Sequence, residues 1–337
     1  MKRILNYQIT DTHNNCRIWD FIIEKGYTKH IRTYLKQHFG SVLLNKEPAC
    51  FYQVMHTGDT LEIHIEDKTA SEKIPPVYLP LDIVYEDEDL MVINKQADTP
   101  IHPSQGNYEN TLANGVAWYY AQQNIPFVYR CINRLDRNTT GLLVLAKNML
   151  SGAILSEQMK NREIHRTYLA IVEGHPADTG IVNAPIGRVA DSVIERQVDW
   201  EHGDLAVTHY WRLHDRDFHS ILSQLPFDAA STCESAATEV CSIPADGISL
   251  VKLKLETGRT HQIRVHMTSI GHPLIGDTLY NPTTKLMTRQ ALHSHSLEFV
   301  HPITREHLYF EAPLPEDMFH FFPDISLDRN LSYVKGH

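Results

Sequence analysis

The chain has 337 residues, 42% of them hydrophobic and 21% charged, enough for one large domain or two medium ones around a substantial core. No apolar run approaches the roughly 18–20 residues that a spanning helix needs, and the opening MKRILNYQITDTHNN turns polar too early for a secretory leader. The five cysteines (Cys16, Cys50, Cys131, Cys233, Cys241) are scattered and form no CxxC pair, which excludes a disulfide framework and points to free thiols in a cytoplasmic protein.

A formal net charge of −10 argues against a polyanionic partner, because phosphate binding needs Lys and Arg. The charges are unevenly spread, however. Segment 227–247 holds Asp228, Glu234, Glu239 and Asp246 and no basic residue. Arg130, Arg134, Arg137 and Lys147 crowd one stretch, and Lys252, Lys254, Arg259 and Arg264 another. A basic cleft on an acidic protein is compatible with that pattern.

In chain order, residues 17–25 and 29–38 have helical apolar spacing, broken by Gly26. Residues 41–45 and the strictly alternating 61–65 read as strands. Residues 1–70 therefore predict a small αα-β module, and the proline-bearing stretch 71–80 a linker. Residues 81–325 predict one α+β domain: a mainly antiparallel, mixed central sheet flanked by helices. Its expected strands are 83–85, 90–94, 141–146, 166–172, 206–213, 249–256, 292–299 and 307–311. Its expected helices are 111–122, 150–162 and 260–269, the last capped by Thr260. The acidic, small-residue stretch 226–247 reads as an insertion in a hairpin.

Two segments carry chemistry. In NRLDRNTTGLLVLAK, residues 133–147, Asp136 stands between Arg134 and Arg137, before a hydroxyl pair, a glycine and a very apolar strand. Guanidinium groups beside a carboxylate favour its ionised, nucleophilic form. Alone, the pattern is more often that of a salt-bridged loop. In ETGRTHQIRVHM, residues 256–267, a polar basic turn opens a helix on which Arg264 shares a face with Met267, and Gln262 with His266.

These segments resemble the signature motifs of the RluA-type RNA pseudouridine synthases. The first is similar to HRLD-x-x-TSG-LL, with Asn133 in place of the usual His and Thr140 in place of Ser; the second is similar to TGRTHQIRVH. The resemblance continues, in order, through YEDEDLMVINK at 85–95, IHPS at 101–104, RTYLA at 166–170, GHPLIGD at 271–277 and ALH at 291–293. Several matching segments in order are far more specific than any one of them. The N-terminal module resembles, more weakly, a small RNA-binding domain named after a ribosomal small-subunit protein.

The resemblance implies isomerisation of a uridine in structured RNA, ribosomal RNA before transfer RNA, after the base is flipped out of its stack. It implies Asp136, Tyr168 and Arg264 as catalytic residues: the nucleophile, the ring beside the uracil, and the partner of the acid. Arg134, Thr140, Arg259, His261 and Gln262 are the expected substrate-binding residues, Arg134 replacing the flipped nucleotide or holding its phosphate. An isomerisation calls for no cofactor and no metal, and the expected state is a monomer needing no protein partner or membrane. The altered Asn133 leaves a second reading, an inactive RNA-binding or ribosome-assembly factor of the same fold. A two-carboxylate glycosidase fits poorly, since no second acid stands in the motifs. Histidines His293 and His295 face one way on a strand but lack the cysteines or HExxH pattern of a zinc site. Trp118, Tyr119 and Tyr120 are consecutive, and so read as helix packing rather than one stacking face.

Overall fold

The computed structural model describes residues 1–71, 73–104, 106–217, 246–283, 286–325 and 332–335. Strand β1 (Lys2–Gln8) opens an N-terminal unit that continues with α1 (Ile18–Glu24), α2 (Lys29–Gln37), β2 (Val42–Leu44), β3 (Glu47–Pro48) and β4 (Thr60–Glu66). Its strands form one sheet in the order β1-β4-β2-β3. The αα-β expectation omitted β1, which pairs with β4 along its whole length, from Lys2 opposite Glu66 to Gln8 opposite Thr60. The reason is physical: β1 is an edge strand that fully buries only Leu5, so its sequence lacks the alternation that marked β4. Ile18, Phe21, Ile22, Ile31, Leu35, Leu61 and Ile63 form the unit's core.

The remaining elements are β5 (Ile83–Glu86), β6 (Leu90–Lys95), α3 (Leu112–Ala121), β7 (Thr140–Ala146), α4 (Met149–Lys160), β8 (His165–Glu173), β9 (Thr179–Asn183), β10 (Ile186–Arg188), β11 (Arg196–Val198), β12 (Val207–Arg216), β13 (Ile248–Leu255), α5 (Gln262–Ser269), β14 (Leu292–Val300), β15 (His307–Glu311), α6 (Glu316–Phe319) and β16 (Ser332–Lys335). The large sheet runs β5-β6-β7-β14-β8-β13-β12-β9, with β15 added to β14 and β16 to β15. The β7–β14 pairing is parallel, and the sheet's other pairings are antiparallel. This is the expected α+β, mainly antiparallel architecture. Strands β10 and β11 form a separate hairpin. All but Asp246 and Gly247 of the acidic stretch 226–247 lies outside the described residues.

Period-two geometry sends consecutive residues of β6 and β7 to opposite faces. Met91, Ile93, Leu143 and Leu145 join one apolar cluster with Val116 and Tyr120 of α3 and Met267 of α5. Leu90, Val92, Leu142 and Val144 join another with Leu155 of α4. Both faces are covered, which is why β7 reads as an unbroken apolar run. Helix α4 also lends Leu150 and Ile154 to the N-terminal core. Arg3 reinforces that contact with bonds of 3.0 and 2.9 Å to the buried Asp89. Residues of the expected linker run along the start of α3, where Asn114 Nδ2 donates to the Pro75 carbonyl at 2.8 Å.

Close approach of β7 to β14 requires Gly141. Its φ is +105°, and a Cβ there would stand 2.2 Å from the Ser294 carbonyl oxygen. The glycine therefore sets where β7 begins and where the loop before it ends.

Candidate active site

The loop before β7 is held from three sides. The Asn133 amide accepts from Val144 N–H at 2.8 Å and donates to the Leu142 carbonyl at 3.4 Å, binding the loop to the strand that follows it. The Arg137 carbonyl accepts from the buried Lys95 ammonium at 2.8 Å and from Thr99 N–H at 3.1 Å. Thr139 N–H closes a turn on the Asp136 carbonyl at 3.1 Å. Between these anchors the Asp136 side chain, 26% exposed, reaches an open cleft of about 870 Å³.

Arg264, from α5, meets it there: Nη1 donates to Asp136 Oδ2 at 3.2 Å. The same guanidinium makes a bidentate pair with Asp277, Nε to Oδ2 at 2.6 Å and Nη2 to Oδ1 at 2.8 Å. Asp277 is fully buried. Its approach depends on Gly276, at φ +67°, where a Cβ would lie 2.1 Å from the Arg289 carbonyl oxygen. Burial works against the Arg264 charge, but the Asp277 bonds and the Asp136 charge outweigh it and raise its pKa. Asp136 thus faces a cation that another acid fixes in place, as in a charge-assisted fork. The adjacent arginines, expected to supply that charge, do not: Arg137 pairs with Asp98 at 2.7 Å, and Arg134 is exposed along the cleft wall.

Tyr168, on β8, lines the same cleft and is 4% exposed. His261 brings Nε2 to 3.9 Å from Asp136 Oδ2. Burial lowers its pKa, with the Arg264 charge adding and Asp136 opposing. Behind the loop, burial pushes the Lys95 ammonium down to about 7, again against the pull of Asp136.

Asp136, Tyr168, Arg264, Arg134, Arg259 and His261 therefore converge on one cleft. Gln262 lines the same cleft with its amide already engaged, and Thr140 lies elsewhere. Gln262 is buried and its amide is fully used: it accepts from Arg259 N–H and Thr257 Oγ1 and donates to Val207 O and Thr208 Oγ1, all at 2.8–3.0 Å. Thr140 points away, into a second cavity of about 450 Å³, and bonds His293 Nδ1 at 2.9 Å. Thr260 is also corrected as the helix cap. Helix α5 starts at Gln262, after His261 in a left-handed conformation with φ 57°, and Gln262 rather than a threonine organises the turn. Gln262 and His266 do share a face, meeting on Thr208 Oγ1.

Lys95, Asp277 and Tyr280 received no role from the sequence. A lysine ending the apolar run MVINK and an aspartate after the glycine of GHPLIGD were the available signals. Six Lys and Arg side chains line the cleft (Arg134, Lys160, Arg162, Arg166, Arg259 and Arg264) against the carboxylates Asp136 and Glu256. The sign of the cleft is thus opposite to that of the whole chain.

Among the described residues one trio, Asp87, Asp89 and His301, brings three ligand atoms within 4.8 Å of one another. These atoms are already engaged: Asp87 with His301 at 2.8 Å and Tyr85 at 2.7 Å, Asp89 with Arg3. The trio works as a polar joint. No helix among the described residues is long and apolar enough to cross a membrane.

Residues 89–269 match the family model described as RNA pseudouridylate synthase. The chain is 40% identical, over 88% of its length and 94% of the relative's, to the uncharacterized RNA pseudouridine synthase YjbO of Bacillus subtilis. It is 39% identical, over 72% of each chain, to the ribosomal large subunit pseudouridine synthase D of Zymomonas mobilis. The solved structure of human RNA pseudouridylate synthase domain containing 1 shares the fold, with a TM-score of 0.54 and 24% identity over 78% of this chain and 92% of that one. The chain belongs to the RNA pseudouridylate synthase family, in its RluA-type branch, and is an isomerase that acts on RNA.

Proposed function

We propose that this enzyme isomerises a uridine of large-subunit ribosomal RNA, with Asp136 as the nucleophile. In the reaction the bond between uracil N1 and the sugar breaks, the ring turns, and carbon 5 bonds the same sugar carbon. The proton on carbon 5 is released and N1 takes one up, so nothing is oxidised or reduced. The observation that carries the assignment is the Asp136–Arg264–Asp277 chain beside Tyr168: one carboxylate open to the cleft, facing a cation that a buried acid immobilises. Tyr168 then stacks on the uracil and lies where the carbon 5 proton leaves. Arg134, exposed on the cleft wall, fills the place of the flipped nucleotide, and Arg259 and His261 contact the RNA.

The choice of ribosomal RNA rests on the relatives named for that substrate. The N-terminal unit supports it, as a second RNA contact in which Arg32 and Lys36 lie over Trp19 at 4.8 and 4.5 Å. Asn133, which prompted the inactive reading, spends its amide on the β7 backbone and so holds the loop that carries Asp136.

Ribosomal RNA from cells lacking the protein supplies the test. The purified enzyme is expected to introduce pseudouridine at a defined large-subunit position, and an Asp136→Asn variant to lose at least about a thousandfold in rate while binding RNA normally. Modification by the variant at near-native rate would remove Asp136 from the chemistry.

A further inference from the structure

Tyr280 stands where three parts of the molecule meet, three residues beyond Asp277. Its hydroxyl accepts a 2.9 Å bond from the backbone N–H of Arg196, the first residue of β11. The same hydroxyl lies 2.9 Å from His261 Nδ1. Its ring lies 4.9 Å from the Arg264 guanidinium and edge-on to the His261 ring, at 5.7 Å and 81°. The Arg196 side chain in turn gathers the Val193, Ile194 and Glu195 carbonyls, which braces the β10–β11 hairpin tip.

A tyrosine hydroxyl has one proton to give. With Arg196 N–H donating to its oxygen, the near acceptor open to that proton is Nδ1 of His261. When Nδ1 accepts, the ring proton of a neutral His261 sits on Nε2, the nitrogen that faces Asp136 Oδ2 at 3.9 Å. The opposite tautomer would turn a lone pair toward a carboxylate, which is repulsive. Neutrality follows from the surroundings: burial and the charges of Arg264 and Arg196 lower the His261 pKa, against the opposing pull of Asp136 and Asp277.

The geometry points to Tyr280 as a positioning residue that fixes His261 as the Nε2–H tautomer, so that Asp136 faces a second donor beside Arg264. Tyr280 also joins the β10–β11 hairpin to the acid, since Arg196 and His261 share its hydroxyl. This inference rests on the proposed role of Asp136 but adds a tautomer and a residue to it. Tyr280 acts through His261 and Arg264 rather than on the uracil.

The variant Tyr280→Phe keeps the ring beside Arg264 and removes only the hydroxyl. Long-range nitrogen–proton correlation spectra of the free protein, with His261→Gln used for assignment, report the tautomer without any RNA. The native chain is expected to show Nε2–H at His261, and Tyr280→Phe a mixture of tautomers. In turnover, Tyr280→Phe is expected to lower kcat about tenfold with KM within about twofold. The acidic limb of its kcat–pH profile moves to higher pH, because the lost bond favoured the neutral ring. Nδ1–H in the native chain, or a variant with native tautomer and kcat, overturns the inference. The spectrum of the native chain decides the tautomer even if no ribosomal RNA is modified, so failure here and failure of the proposed function are distinguishable.

Discussion

His293 shows how far a side chain's role depends on what surrounds it. Burial, with His295 beside it, pushes its pKa from 6.5 down to about 3. It accepts from Thr140 at Nδ1 and faces the Ala312 carbonyl at Nε2, 3.3 Å away. Thr140 therefore serves this buried pair rather than the substrate. Between pH 6.5 and 3 the unfolded chain binds a proton at this residue that the folded chain does not. The stabilisation is complete above pH 6.5 and is lost as pH falls, by about 2 kcal/mol at pH 5. Urea denaturation at pH 8 and pH 5 should show a smaller acid loss for His293→Gln than for the native chain. Equal losses would mean that other groups set the acid limb.

At the scale of elements, the junction of β7 with β14 carries the site, because Asp136 hangs on the loop that ends there. The parallel contact is short, His293 opposite Thr140 and Ser294 opposite Gly141. Gly141→Ala places a methyl 2.2 Å from the Ser294 oxygen at a φ of +105°. Neither backbone can yield without breaking sheet bonds, so a loss of roughly 3 kcal/mol or more is expected. A urea midpoint within error of the native value would show that the strands separate cheaply. The β13–α5 junction is held differently, by the Gln262 amide and the left-handed His261. That turn points His261 and Arg264 into the cleft while Met267 enters the core.

For the whole molecule, the net charge of −10 and the six cleft cations are reconciled by placement. An acidic exterior repels RNA except where the cleft faces it. Arg166 lines the cleft, and its Nη1 and Nη2 groups lie against Gly258 there. A phosphate entering the cleft would meet that guanidinium. Binding of the RNA substrate should weaken steeply with salt, and Arg166→Ala should reduce the slope of log Kd against log salt by about 1. An unchanged slope would place Arg166 in structural packing alone. The N-terminal unit is part of this assembly, since it shares Leu150 and Ile154 with α4.

What the sequence determined by itself was local or cumulative. Apolar periodicity marked α1, α2, β4 and β7, because each buries a whole face or both faces. The ordered motifs marked Asp136, Tyr168 and Arg264, because residue types at set spacings survive without knowledge of distance. It did not reveal β1, whose stabilisation comes from pairing at an edge rather than from burial. Nor did it show that Gln262 reaches the cleft with its amide already engaged, or that Thr140 turns to a second cavity. Side-chain direction there depends on a left-handed residue and on partners 50 or more positions away. Only the tertiary structure brought Asp277, Tyr280 and Lys95 to Asp136. They act through hydrogen bonds and charge, which depend on distance through space and on burial, neither of which is written along the chain.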